Sequence, residues 1–490
     1  MLPFPAHAAR RFDIRAFGAT GDGVTLDTDA INAAIAAAAR AGGGTVTLPP
    51  GRYLSFTIRM RSDVTLMLER GATLIAADPA RHRGRYDLPE NRGEQLYQDF
   101  GHSHWHNSLI VGDGVSRVAI LGPGAIDGAG LTRDGPGARW RRQAGERPLS
   151  MQGMSAEEIA RLEPDAARMN GIGNKAIALV DAKDVRIEGL TIARGGHFAI
   201  LATGVRRMRI ADCVIDTNRD GIDLDCVSDV VVERCRVNSP NDDAIVLKSS
   251  FALGRAVQTR DVTVRDCEVS GYDLGSLIDG TRTRRQDIAP DRDRVTGRIK
   301  LGTESNGGFA RIRIERCRFD RSRGLALETV DGGGLEDVVA RDLVMTDVTT
   351  APLFLRVGDR RRGPAGTGIG HIRGVRLERI SATGIDHRFA ATLAGIPGGP
   401  IEDVTLRDIA LSYRGGGTVA DAARRPGDLV EAYPEPSMFG STPTWGLWCR
   451  HVRGLTVDGL ALATGGDARP AVRLEDVTDV SVRRASHWER

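Results

Sequence analysis

Aromatic residues are scarce, at 5% of 490 residues, while glycine is plentiful at 60. That balance argues against a helical bundle and suits many short strands joined by tight turns. Charge of one sign is lacking too. Lys and Arg (67) nearly cancel Asp and Glu (64), for a net +3, which excludes the one-sided field of a nucleic-acid or membrane-surface binder and points to an uncharged or modestly acidic partner. No apolar run reaches the length of a membrane span. The six cysteines contain no CxxC pair, the usual spacing of a structural zinc site. The opening MLPFPAHAARR carries Ala6-His7-Ala8, a small-residue cleavage pattern, without the basic and apolar regions of an export signal. Residues 1–10 are therefore read as a leader remnant, and the protein as secreted or periplasmic.

What the chain does have is a repeat. Strand-patterned segments recur as DVRIEGLTI from Asp184, RMRIADCVI from Arg207, DVVVERCRV from Asp229, DVTVRDCEV from Asp261 and RIRIERCRF from Arg311, the first three 23 and then 22 residues apart. Later copies begin at Asp337, Gly374, Asp403, Gly454 and Asp479. Each alternates apolar and polar residues at period two. A strand-bearing unit of this length predicts an all-β parallel β-helix, whose coils bury their inner face only by stacking. The Leu-x-x-Leu-x-Leu frame of the rival leucine-rich solenoid is absent. Residues 11–490 are read as a single β-helix catalytic domain, with inserted loops near 131–173 and 414–449.

An N-terminal helix is predicted with Thr28 as N-cap, Ile31, Ile35 and Ala38 on one face and Gly42-Gly43-Gly44 as its stop. It is assigned to capping the first coil, where a solenoid would otherwise expose apolar cross-section and strand edges. Cys213, Cys235, Cys267 and Cys317 hold the same place in four copies and should stack inward as small apolar thiols.

The chemistry concentrates in NRDGIDLDC (218–226) and NDDAIVLKSS (241–250). Asp220 and Asp242 are one repeat apart, so on a stacked solenoid they sit on neighbouring rungs about 4.8 Å apart, with Asp243 beside them. Three carboxyls that close cannot all ionise comfortably. One is left protonated beside ionised neighbours, the arrangement glycosidic cleavage requires. An Asn-Asp-Asp could also be ordinary turn chemistry; its coincidence with the coil period favours catalysis.

The order Asn218-x-Asp220-Gly-x-Asp223, then Asp242-Asp243 with Lys248-Ser249 downstream, resembles glycoside hydrolase family 28, the polygalacturonases and rhamnogalacturonases. The N-terminal stretch FDIRAFGATGDGVTLDTDAINAAIAAAARAGGGTVTLPPGRY is similar to that family and its pectin-lyase-like relatives. The resemblance implies a right-handed pectin-lyase-like solenoid, no metal or organic cofactor, and inversion at the anomeric carbon. By position, Asp242 would protonate the leaving oxygen, and Asp220 and Asp243 would hold and deprotonate water. Inversion calls for a gap that admits water, so the side chains are expected to splay beyond rung spacing.

The pattern also breaks. Where the family carries Gly-His-Gly this chain has SGYDLGSLIDG, with Tyr272 and no histidine. Where its Arg-Ile-Lys should fall stand Ala326, Leu327 and Glu328. Arg298 and Lys300 in GRIK lie one coil early, and three readings stand: with Lys248 they replace the lost uronate-binding cations, the sugar in the reactive subsite differs, or they are solvated strand residues.

Candidate sugar contacts are thus Asn218, Asp223, Lys248, Arg298, Lys300, Glu328 and Tyr272, with His197, 23 residues before Asp220. In GHSHWHN (101–107), His102, His104 and His106 would share one face of an extended segment opposite Trp105; His104 and Trp105 are read as sugar contacts in preference to a zinc site. The glycines of GPGAIDGAG lack GxGxxG spacing and read as turns. Residues around SAEEIARL look helical, and Tyr433, Phe439, Trp445 and Trp448 either pack the second loop or stack on sugar.

The sequence thus predicts an inverting hydrolase of α-linked galacturonate-type bonds in pectic polysaccharide or oligosaccharide, with loops that favour exo action. The rivals are a polysaccharide lyase, which would want a basic proton acceptor and usually calcium, and a non-catalytic carbohydrate-binding solenoid. Linkage, reactive sugar and oligomeric state are not encoded in any motif found.

Overall fold

The period-two segments become strands that pair in parallel with their counterparts one coil further along the chain. The structure is a computed structural model describing residues 10–90, 97, 100–132, 155, 169–287 and 294–488. The described strands, 33 in all, form one continuous sheet wound as a right-handed parallel β-helix. Ala6 to Ala8 and nearly all of the helix expected around SAEEIARL lie outside the described residues.

Each central coil has three strands. One stack runs through Lys175–Val180, Phe198–Thr203, Asp220–Asp225, Ile245–Ser249, Ile299–Ser305 and Leu325–Thr329. Two more succeed it around the coil, as in Arg206–Ala211 and Val214–Asp216; in later coils these two merge into long strands such as His371–Ile385.

The inner face of the first stack is a ladder in strict register: Ile177, Ile200, Ile222, Ile245, Ile299, Leu325 and Leu353, all buried. Each such side chain contributes about 1.5–3 kcal/mol of burial, obtained only when the neighbouring coil is in place. Cys213, Cys235, Cys267 and Cys317 stack inward as the repeat implied, buried and free. The helix Thr28–Arg40 buries Ile31, Ile35 and Ala38 as expected. Its N-cap is Asp27, however, with Thr28 the first helical residue; the Asp27 carboxylate accepts from the Thr20 and Gly21 amides and leaves the helix N–H groups alone.

The outer face of the same stack positions the site. Its in-register row reads Ala178, Leu201, Asp223, Val246, Lys300, Ala326 and Phe354. The apolar ends are roofed, Ala178 and Leu201 by a cluster with Trp105 and Phe198, Ala326 and Phe354 by one with Phe439 and Trp448. Between the two roofs the row turns charged.

Candidate active site

Asp220 opens one strand of this stack, and Asp242 and Asp243 occupy the turn that enters the next. Each of the three offers a carboxylate oxygen within 4.8 Å of the others, and all are buried. The Asp243 amide donates to Asp220 Oδ1 (3.2 Å) and Asp242 Oδ1 (3.1 Å). The expected splaying is therefore absent. A shared donor and adjacent rungs hold the oxygens closer than the about 6.5–9.5 Å usual for inverting pairs.

Burial, and then the field of Asp242, push the Asp220 carboxyl well above the ordinary carboxylate range, with Lys248 pulling the other way. Asp242 Oδ2 has Arg219 at 3.1 Å. The resting field thus favours the proton on Asp220, whereas the family resemblance gives the general acid to Asp242. Groups this close titrate as a pair.

Asp243 is ion-paired through both of its oxygens. Arg298 Nε donates to its Oδ1 at 2.8 Å, and Lys300 Nζ lies 3.4 Å from Oδ2. The solvated-strand alternative for Arg298 and Lys300 fails, since both are buried over Asp243. Lys300 also reaches Glu328 at 3.6 Å. Burial disfavours the Lys300 ammonium, but Asp243 and Glu328 outweigh it and the net shift is upward. Burial pushes Glu328 up to about 7, with Lys300 and Arg298 pulling it back. A residue with no periodic signal completes this group: Glu435, from the second inserted loop, accepts from Arg298 (3.1 and 2.9 Å) and Arg323 (2.6 Å).

A second buried group adjoins the first. Asp223 faces His102 Nε2 at 3.3 Å and Lys248 Nζ at 3.7 Å, and Lys248 donates to Glu304 at 3.0 Å. A register shift between Leu247 and Ser249 accommodates extra residues on the partner strand and sets Glu304 opposite Lys248. Burial opposes the Glu304 charge, yet Lys248, His102, Arg362 and Arg360 hold its carboxyl well below the usual range. Among the described residues, two sets of donor atoms lie close enough to hold a metal ion: Asp220, Asp242 and Asp243, and His102, Asp220 and Asp223.

Comparison with known proteins gives two partial family matches, one described as rhamnogalacturonase A/epimerase, pectate lyase-like, over residues 12–85, the other as right handed beta helix region over residues 162–289. A probable polygalacturonase of Vitis vinifera is 24% identical over 471 residues, covering 90% of this chain and 80% of that protein. The exo-poly-alpha-D-galacturonosidase of Dickeya chrysanthemi is 34% identical over 122 residues, 25% of this chain and 20% of that enzyme. A solved family 28 exopolygalacturonase of Yersinia enterocolitica superposes with a TM-score of 0.68 over 96% of this chain and 78% of that one; at 17% identity this likeness is one of fold.

The chain is glycoside hydrolase family 28-like.

Not every expected sugar contact of this family 28-like chain reaches the site. His197 does stand beside it, its ring edge-on to His102 with centroids 6.5 Å apart. Asn218 accepts from Asn241 in the turn that carries Asp242. Trp105 is wholly buried and donates to Thr203 at 2.9 Å, so it roofs the sheet and offers no face to a sugar. The three histidines do not share one face, because Phe100–Ser103 is helical. His102 turns to Asp223, His104 is buried against Ser103, and His106 pairs with Asp113. Tyr272 is also a correction: its hydroxyl bonds Asp320, and Arg282 and Arg284 cover its ring.

In the second loop, Phe439 and Trp448 pack edge to face, as do Trp445 and Tyr413, which makes these aromatics loop anchors. Tyr433 stands over Lys300. Sequence reasoning missed Glu304, Glu435, Arg219 and Arg323, and left His102 outside its chosen contacts. Two of these had a signal: Arg219 stands inside NRDGIDLDC beside Asp220, and Glu304 lies near Lys248 in the next coil.

Proposed function

We propose that the protein is a glycoside hydrolase that cleaves α-linked galacturonate-type bonds in pectic polysaccharide or oligosaccharide, with inversion and from the chain end. The observation that carries this is the gathering of Asp220, Asp242 and Asp243 within 4.8 Å on neighbouring rungs. The Asp220–Asp242 pair holds a proton that Asp242 delivers to the leaving oxygen. Asp243, ion-paired with Arg298 and Lys300, and Asp220 take the water and its proton. The spacing is shorter than inverting pairs usually show, so inversion rests on the third carboxyl, which a retaining pair does not need and which gives an attacking water a second acceptor.

Exo action is supported by the loop carrying Tyr433 and Glu435, which packs over Lys300 and Arg298 beside Asp243, and by the partial match to an enzyme named as an exo-poly-alpha-D-galacturonosidase. No helix among the described residues is long and apolar enough to cross a membrane. Pectic glycan lies outside the cell that digests it, and we place the protein in that setting, secreted or periplasmic.

The test is product analysis on homogalacturonan, rhamnogalacturonan and oligogalacturonides, with Asp242→Asn as control. Release of a monosaccharide alone, first appearing as the inverted anomer by NMR, is the expected result. Unsaturated, ultraviolet-absorbing products would identify a lyase instead, and no turnover of any substrate would remove the hydrolase reading.

A further inference from the structure

We infer that Glu435 is a built-in stand-in for a sugar carboxylate: it fills the anion seat made by Arg298 and Arg323, so that the sugar lodged against Asp243 is a neutral or esterified unit. This rests on the pectic reading above and narrows it to bonds in which one flanking unit lacks a free carboxylate there.

The geometry is that of a ligand already bound. Arg298 gives Nε to Asp243 at 2.8 Å and both terminal nitrogens to Glu435, so its planar fork is engaged on each side by protein carboxylates. Arg323 adds a bond to Glu435 at 2.6 Å and directs its other terminal nitrogen to the Arg294 carbonyl.

Charge gives the same answer. The ion pairs around Asp243 join three cations, Arg298, Lys300 and Arg323, to three carboxyls, Asp243, Glu435 and Glu328. Each of these cations already faces a protein carboxyl with no sugar present. A uronate placed here would bring its carboxylate against Asp243 and Glu435, which already take up the guanidinium donors, and would meet repulsion at short range.

Glu435 is not set to swing aside. Arg356 donates to the carbonyls of Asp428 (2.7 Å) and Leu429 (2.9 Å), Thr303 bonds the Tyr433 hydroxyl at 3.2 Å, and Phe439 packs on Trp448. The segment on either side of Glu435 is thereby tied to the coils beneath it.

The test is titration calorimetry with an oligogalacturonide in its acid form and the same oligomer methyl-esterified, on Asp242→Asn protein, which is expected to bind without cleaving. With Glu435 present the ester should bind about tenfold more tightly, the scale of one charge-assisted contact. Adding Glu435→Gln removes the carboxylate that Arg298 and Arg323 share and should reverse the order. An unchanged ratio, or tighter binding of the acid form while Glu435 is present, overturns the inference. Should the double variant fail to fold, the ratio measured with Glu435 present decides alone, ester preference supporting and acid preference overturning. Binding of neither oligomer would overturn the pectic reading and this inference with it, whereas binding of both at a ratio unmoved by Glu435 overturns only the latter.

Discussion

Asp220 and Asp242 hang from one donor: the Asp243 amide bonds both carboxyls, at 3.2 and 3.1 Å. Two acids that share an N–H and repel each other hold a proton between them. Removing either carboxyl should lower kcat by about 10²–10⁴ while leaving substrate affinity within a few fold. An amide keeps the acceptor oxygen and removes the repulsion, so Asp220→Asn and Asp242→Asn should unfold at the same or a higher temperature than the native chain. Single-turnover kinetics and thermal melts check both halves; a variant that loses affinity and fold together would mark the group as structural.

Arg298 is the hinge between Asp243 and Glu435, two carboxylates that belong to segments far apart in the chain. Arg298→Met would leave both buried with one cation fewer, at a cost of about 3–5 kcal/mol. Arg298→Lys keeps the charge but loses the fork, so it should fold better than the methionine variant and still turn over poorly. Denaturant unfolding beside kcat distinguishes the two; equal stability of all three proteins would contradict the ion-pair network.

Range along the chain decides which of these contacts were legible in the sequence and which were hidden. Asp220, Asp242 and the Ile200–Ile222–Ile245 ladder were legible because stacking converts a fixed sequence interval into contact. Arg298 and Lys300 looked one coil early by family position, yet the strand Ile299–Ser305 pairs directly with Ile245–Ser249, which sets both cations over Asp243. Glu435 lies 137 residues from Arg298 inside an insertion, where no period reports its position. Trp105 and His104 misled because an apolar–polar alternation was read as extended chain, while a helical turn at Phe100–Ser103 reorients the side chains after it.

The thiol stack offers a test of the core. All six cysteines are buried and unpaired. Hydrogen bonding to Cys235 and then burial raise Cys213, and burial first of all raises Cys226 and Cys449. Thiolate is the reactive form, so the native chain should resist iodoacetamide at neutral pH and take up six labels only once unfolded. Reducing agent should leave the melting temperature where it was. Cys235→Ala should cost about 1–2 kcal/mol through the small cavity it leaves between rungs. Rapid labelling of the folded protein would show that the stack is open to solvent.

Glu328 ties stability to pH in a direction set by its burial. Its carboxyl is raised from 4.5 to about 7, by burial first, with Lys300 and Arg298 opposing and the negative charges of Glu435 and Asp243 assisting. Between those two values the folded chain holds a proton that the unfolded chain has released. Stability from this group is therefore complete below about pH 4.5, falls as pH rises, and is gone above about 7. The loss amounts to about 3 kcal/mol at most, from the size of the shift. Glu328→Gln stays neutral throughout and should melt at temperatures that depend less on pH across this window, the gap between the two proteins closing or reversing in favour of the variant as pH rises. Lys300 supplies the control: with Lys300→Met the cation that restrains Glu328 is gone, and the native descent should move to higher pH. Parallel melting curves for native and Glu328→Gln proteins from pH 5 to about 8 would show that Glu328 is ionised in the fold, and that the ion pair with Lys300 outweighs its burial.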